Sequence, residues 1–172
     1  MKSKIFLLLL LYLVYPLIGY ALDTKLPEGY RLPEKSDYTK YAQSYYKNNF
    51  PNKVKADFDG NGKVDTAFLL LKSDNSCWSL FVFMTFYEDQ INQVKLDEIE
   101  QKATYLSMGI SQLEPGKYKT ACGKGSWDCT PGEPEILILK NPGINYFTFE
   151  SANSVFYWNK ALKKFRRIWL SD

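Results

Sequence analysis

One helical repeat lies near the start of the chain, where aromatic and small apolar side chains recur three and four positions apart. Ser36 and Asp37 offer side-chain oxygens that can cap a helix N-terminus, and Pro51 cannot continue a helix. The pattern therefore predicts one amphipathic helix over residues 37–49. The residues of the repeat are Tyr38, Tyr41, Ala42, Tyr45 and Tyr46.

The rest of the chain consists of short apolar or alternating segments separated by turn residues, which is typical of β-strands. Residues 53–58 alternate, DGNG follows, and residues 66–71 are almost continuously apolar, so we expect a hairpin. The sequence therefore predicts an α+β fold, mostly β, in which the N-terminal helix packs on an antiparallel, meander-like β-sheet. Further strands are predicted over residues 77–86, 94–99, 103–112, 135–140, 145–150, 153–158 and 164–170.

The first 21 residues have the pattern of a secretory signal peptide. Lys2 and Lys4 precede an apolar run, which Pro16 interrupts and which is too short to span a bilayer as a helix. Small residues precede the expected cleavage site after Ala21. We expect a periplasmic or secreted protein with no membrane span in its mature chain. Residues 22–35 would form an extended N-terminal arm, and residues 36–172 a single globular domain.

Charge and composition narrow the possible functions. Beyond residue 21 the chain has 20 basic and 19 acidic residues, a net charge of +1. Binding to nucleic acid needs an excess of Lys and Arg to neutralise the phosphates, and this chain has almost none, so we expect no nucleic-acid partner. The sequence has no histidine, which excludes histidine-dependent nucleophiles, imidazole zinc sites and histidine-based pH switches.

Three cysteines remain after the predicted signal peptide, and export would permit a disulfide. Cys122 and Cys129 enclose the short segment GKGSWD, and we expect these two to pair. Cys77 begins an apolar strand and is expected to be a buried thiol. The spacing of the three cysteines does not fit a metal site built from sulfur ligands.

The segment DFDGNGKVD, residues 57–65, has the spacing of a calcium-binding loop. Its side-chain oxygens fall at positions 1, 3, 5 and 9, a glycine stands at the position 6 bend, and position 7 can offer a backbone carbonyl. Position 12 of an EF-hand would be Phe68 and not glutamate, so we expect calcium binding to be weak to moderate. The candidate ligands are Asp57, Asp59, Asn61, Lys63 through its carbonyl, and Asp65.

This loop resembles the calcium loops of FG-GAP and VCBS-type repeat proteins, which join two β-strands. The resemblance covers residues 54–71 and implies a structural Ca²⁺, but not a propeller, since the chain has a single such loop. The wider chain resembles small exported bacterial proteins without an assigned activity, through its ADFDGNGKVDTAFLL, ACGKGSWDC and FRRIWLSD segments. An alternative is that Asp-Gly and Asn-Gly serve hairpin geometry alone.

Two further groups of residues suggest function. Trp127 lies inside the cysteine-enclosed loop and is our candidate partner-contact residue. Glu98, Glu100, Glu133 and Glu135 are numerous enough for a two-carboxylate glycosidase. The favoured hypothesis is an exported, non-enzymatic, calcium-stabilised domain that binds a protein or envelope component, as an inhibitor or immunity factor does. The alternatives are an envelope hydrolase that uses Asp and Glu, and a structural envelope protein.

Overall fold

The computed structural model describes residues 25–47, 49–86, 90–100 and 106–171, so the predicted signal peptide lies outside the described residues. Within these ranges the chain is mostly antiparallel β-structure, as the sequence pattern predicted. The strands are distributed over three sheets, whereas the sequence pattern predicted one meander-like sheet. Side chains from different sheets therefore pack against one another to form the cores.

The first sheet contains five strands from the N-terminal half, with β1, β3, β4 and β5 in that order and β2 also paired with β3. The two central strands, β3 and β4, are buried along almost their whole length, which explains their continuous apolar runs. The strands are β1 (Tyr30–Arg31), β2 (Lys53–Ala56), β3 (Asp65–Lys72), β4 (Cys77–Thr85) and β5 (Ile91–Glu100).

The second sheet has the strand order β11-β10-β9-β6, and the third is the pair β7-β8. Buried residues of the first and second sheets, such as Leu69 and Ile144, form the main core. A smaller core joins the second and third sheets around Leu139 and Val155. The strands are β6 (Met108–Leu113), β7 (Gly116–Lys119), β8 (Ile136–Leu139), β9 (Gly143–Thr148), β10 (Asn153–Asn159) and β11 (Lys164–Ser171).

The predicted helix over residues 37–49 is divided in the structure. A 3₁₀ turn covers Lys35–Asp37, and helix α1 covers Lys40–Tyr46 with the hydroxyl of Thr39 accepting the Ala42 N–H as its N-cap. Between them, Tyr38 is extended, fully buried and bridged to Leu106. Burial of its ring in the main core therefore moves the start of the α-helix past the predicted cap at residues 36–37.

Three elements were not anticipated from the sequence. Strand β1 lies within the segment expected to be an extended arm, and its second residue, Arg31, forms a two-bond ion pair with Asp37. Strand β7 pairs with β8. A single helical turn, α2 (Ala121–Lys124), opens the disulfide loop, and the hydroxyl of Thr120 accepts the Gly123 N–H as its cap.

Candidate functional site

The candidate ion loop, residues 57–65, connects β2 to β3 in the predicted hairpin. The two strands pair from Lys53 opposite Phe68 to Ala56 opposite Asp65, so the loop leaves and re-enters the sheet at adjacent positions. Gly60 and Gly62 have φ values of +75° and +84°, which non-glycine residues adopt at an energetic cost. The glycines thus allow the tight winding of the loop.

Side-chain oxygens of the loop accept hydrogen bonds from its own backbone. Asp57 Oδ1 accepts from the N–H groups of Gly60 and Asn61 at 2.8 and 3.0 Å, and its Oδ2 accepts from Gly62 at 2.8 Å. Asp59 Oδ1 accepts from Asn61 N–H at 3.0 Å, and Asn61 Oδ1 accepts from Lys63 N–H at 2.7 Å. These bonds hold the side chains at positions 1, 3 and 5 in defined orientations.

Asp65 at position 9 is the buried acid of the loop. Its side chain is fully buried at the start of β3, where Oδ2 accepts the Phe58 N–H at 3.0 Å and Oδ1 accepts the Thr85 N–H at 2.8 Å. Burial raises the pKa of this carboxyl to about 6, with smaller contributions from the charges of Asp59 and Asp57. Burial also raises the pKa of Asp59, which Asp57 reinforces.

The structure brings together three of the predicted ligands. Carboxylate oxygens of Asp57, Asp59 and Asp65 all lie within 4.8 Å of one another. Asn61 is tied to this cluster, because its Nδ2 donates to Asp59 Oδ2 at 3.1 Å and to the Thr85 carbonyl at 2.9 Å. Carboxylate and amide oxygens are the donors that Ca²⁺ prefers, so the donor set fits a hard cation.

Two further positions of the calcium-loop pattern, Lys63 at position 7 and Phe68 at position 12, differ from the aspartate positions. Lys63 is positioned through its backbone N–H, which donates to Asn61 Oδ1 at 2.7 Å. Phe68, at EF-hand position 12, is buried with Phe81 and Phe83 on the outer face of the first sheet. The loop therefore receives no glutamate-type ligand from position 12.

The predicted disulfide between Cys122 and Cys129 is present, and Cys77 is a buried free thiol. Trp127 lies at the surface of the closed loop, with 37% of its area exposed. Its indole N–H is 3.3 Å from both carboxylate oxygens of Glu133, which also accepts from the hydroxyl of Thr130. These bonds fix the orientation of the indole ring at the surface.

Two of the glutamates considered for hydrolysis, Glu98 and Glu133, are held in local hydrogen-bond networks. Glu98 accepts hydrogen bonds from Lys95, Ser79 and Tyr30 at 2.6, 3.0 and 3.0 Å. These bonds, led by that from Lys95, lower the pKa of Glu98 to about 2. A general acid needs a raised pKa, so the environment of Glu98 opposes that role. Glu133 lies in the disulfide loop region rather than on the first sheet.

A cavity beside the ion loop was not anticipated from the sequence. It has a volume of about 410 Å³ and is lined by Asp59 together with residues from the ends of β8 and β10, including Trp158. Asn141 closes one side, since its Nδ2 donates to the Phe58 carbonyl at 3.4 Å and its side chain leaves no room for a Cβ at Gly60. The only sequence signal was the turn Asn141-Pro142-Gly143, which did not reveal its contact with a loop some 80 residues away.

Searches of protein-family models, curated proteins and solved structures found no match to this chain. Among the residues that the structure describes, there is no helix with the length and apolar character needed to cross a bilayer.

Proposed function

We propose that this protein is an exported, non-enzymatic binding domain whose loop 57–65 holds a structural Ca²⁺. The observation that carries the ion site is the convergence of three aspartates, one of them fully buried. The candidate ligands are Asp57, Asp59, Asn61 and Asp65, with the carbonyl of Lys63 as a further oxygen. The resemblance to FG-GAP and VCBS-type calcium loops supports the same assignment.

The electrostatics of the cluster give the ion a physical role. Three carboxylates in close proximity repel one another, and burial of Asp65 disfavours its charged form. A divalent cation offsets both effects, because it neutralises charge at the place where the chain concentrates it. Hairpin geometry by itself accounts for the two glycines and Asn61, and Asp65 holds the N–H groups of Phe58 and Thr85. Neither requirement accounts for two further carboxylates, those of Asp57 and Asp59, within 4.8 Å of the Asp65 carboxylate.

The ion would act on the fold rather than in a reaction. Asp65 already connects the hairpin to the end of β4, because it accepts the Thr85 N–H. Asn61 Nδ2 donates to the carbonyl of the same residue, Thr85. A cation bound to these side chains would tie the β2–β3 loop to the edge of the first sheet. We therefore assign it a stabilising role.

The disulfide and the exposed Trp127 support the export and binding parts of the proposal. The disulfide agrees with an oxidising compartment, such as the periplasm or the exterior. The partner would be a protein or envelope component, and Trp127 is a candidate contact because hydrogen bonds orient its exposed ring on a cross-linked loop.

Thermal unfolding tests the ion site. We expect the purified protein to melt several degrees higher in Ca²⁺ than in chelator, because a ligand that binds only the folded state stabilises it by mass action. Asp59→Ala should abolish the difference, whereas Asp74→Ala, which changes an exposed aspartate in the turn before β4, should preserve it. Equal melting temperatures of the unsubstituted protein in Ca²⁺ and in chelator would refute the site.

A further inference from the structure

A second groove lies on the four-stranded sheet beside helix α1, formed by residues other than those of the ion loop. Its volume is about 660 Å³. Each strand of the sheet contributes at least one half-buried polar side chain to its lining, and four of these side chains are hydrogen-bonded to one another. From the first edge of the sheet to the other these are Ser111 on β6, Asn145 on β9, Asn153 on β10 and Ser171 on β11.

The four polar side chains form a continuous hydrogen-bonded row across the sheet. Asn145 Nδ2 donates to Ser111 Oγ at 3.1 Å, and Asn153 Nδ2 donates to Asn145 Oδ1 at 3.1 Å. Ser171 Oγ then donates to Asn153 Oδ1 at 2.7 Å and accepts from the Asn153 backbone N–H at 3.1 Å. The row is therefore fixed before any ligand arrives, which reduces the entropic cost of binding.

The row retains capacity for further hydrogen bonds. Each asparagine amide has two N–H donors, and the row uses one of them. Within the described part of the chain, the second N–H of Asn145 and of Asn153 has no acceptor. Both residues line a groove that is open to solvent, so their amide groups can donate to a ligand oxygen. The row extends over four strands, which is longer than a single sugar ring.

Aromatic rings flank the polar row. Tyr45 and Tyr46 of α1 and Phe147 of β9 line the same groove. Tyr45 is 68% exposed, and its ring meets that of Tyr46 edge to face at 4.8 Å between centroids. Tyr46 in turn lies against Phe149 at 5.5 Å. The negative face of an aromatic ring attracts C–H groups, and an exposed tyrosine on a supported ring cluster presents such a face.

The charges of the groove favour a neutral ligand. Lys124 and Glu150 are the charged residues of its lining, so the two signs are balanced. The ammonium group of Lys124 donates to the Leu170 carbonyl at 2.7 Å, which directs it toward the end of β11. Neither an anionic nor a cationic ligand would gain net attraction here.

We infer that this groove binds a neutral saccharide chain. Sugar rings present C–H faces that stack on tyrosine and hydroxyl groups that accept and donate hydrogen bonds, and the groove combines surfaces for both. The inference deepens the proposed binding role by naming the chemical class of the envelope component, and it rests on that role. It does not rest on calcium, since no residue of the loop lines the groove.

The test is a titration of the ¹⁵N-labelled protein with neutral trisaccharides, one of glucose and one of N-acetylglucosamine, followed by NMR. We expect at least one of them to shift the side-chain amide signals of Asn145 and Asn153 in a saturable manner. The glucose trisaccharide tests recognition of the sugar ring, and the N-acetylglucosamine trisaccharide tests recognition of the acetamido group as well. Saturable shifts with either trisaccharide support the inference.

Variants locate the site. Tyr45→Ala removes an exposed ring and should weaken the affinity about tenfold, and Asn153→Ala should weaken it to a similar extent. Leu162→Ala, which removes an exposed apolar side chain in the turn between β10 and β11, should leave the affinity unchanged. Circular dichroism verifies that each variant is folded. If a variant does not fold, the titration of the unsubstituted protein still tests the inference.

Three results would overturn the inference. They are the absence of shifts with both trisaccharides at millimolar concentration, shifts confined to residues outside the groove, and equal affinities for Tyr45→Ala, Asn153→Ala and the unsubstituted protein. Calcium-dependent melting, measured on the same sample, shows independently whether the ion site stands.

Discussion

Asp65 is the residue at which the fold and the proposed ion site depend on the same atoms. Its two carboxylate oxygens accept the N–H groups of Phe58 and Thr85 in a fully buried position. A buried N–H that loses its acceptor costs about 1–3 kcal/mol. Asp65 is thus needed by the hairpin whether or not a cation is bound, unlike Asp59, whose hydrogen bonds remain within the loop.

This difference gives a prediction that separates the two aspartates. In chelator, Asp65→Ala should lower the free energy of unfolding by about 2–4 kcal/mol, because the buried N–H of Phe58 and the partly buried N–H of Thr85 lose their acceptor. Asp59→Ala should lower it by less than about 1 kcal/mol under the same conditions. Urea denaturation measures both values. Similar small losses for the two variants would show that Asp65 does not support the hairpin.

At the scale of elements, the disulfide loop is a unit assembled from a cap, a helical turn and a cross-link. Thr120 caps α2, and its hydroxyl also donates to the Pro134 carbonyl at 2.8 Å. Gly123 packs so closely on the backbone of Glu135 that a Cβ would collide with its carbonyl oxygen. Local capping and the approach of β8 thus fix the loop, and the cross-link between Cys122 and Cys129 closes it.

The cross-link should contribute measurably to stability. Replacing both Cys122 and Cys129 with serine should lower the free energy of unfolding by about 2–3 kcal/mol, the chain entropy expected for so short a closed loop. Chemical denaturation in the presence and absence of a thiol reductant measures it. The reductant should destabilise the unsubstituted protein and leave the double variant unchanged; a reductant effect on the double variant would point to Cys77 instead.

At the scale of the whole molecule, Arg167 joins the first and second sheets. It lies on β11, and its Nη1 donates to Asp97 Oδ2 of β5 at 3.0 Å. Its Nε donates to Ser154 Oγ at 2.9 Å, and its guanidinium lies 4.3 Å from the centre of the Trp169 ring. A flat group with several donors can make these contacts together, whereas a lysine ammonium cannot.

Arg167→Lys should therefore lower the free energy of unfolding by about 1–3 kcal/mol, since the hydrogen bonds and the stacking cannot all be kept. Arg166→Lys is the matched control, because successive side chains of a strand point to opposite faces of the sheet. A double-mutant cycle with Asp97→Asn measures the coupling across the sheets. Additive effects of the two substitutions would argue against a link through this pair.

Much of the fold follows from local patterns. Turn chemistry and alternation predicted the β2–β3 hairpin, and the apolar run from residue 77 predicted β4. The helix was less predictable: its repeat included Tyr38, but burial of that residue in the main core ends the 3₁₀ turn and delays α1. Strand β7 has only four residues, and its partner β8 follows after the whole disulfide loop, so no local signal specified the pair.

The sequence by itself determined the hairpin around DGNG, the aspartates available to an ion and the pairing of Cys122 with Cys129, because each depends on residues close together in the chain. Only the tertiary structure decided the burial of Asp65 against Thr85, the contact of Asn141 with the ion loop, and the polar row from Ser111 to Ser171. These features join strands far apart in sequence. Their physical cause is the packing of three sheets, which selects partners that no local periodicity encodes.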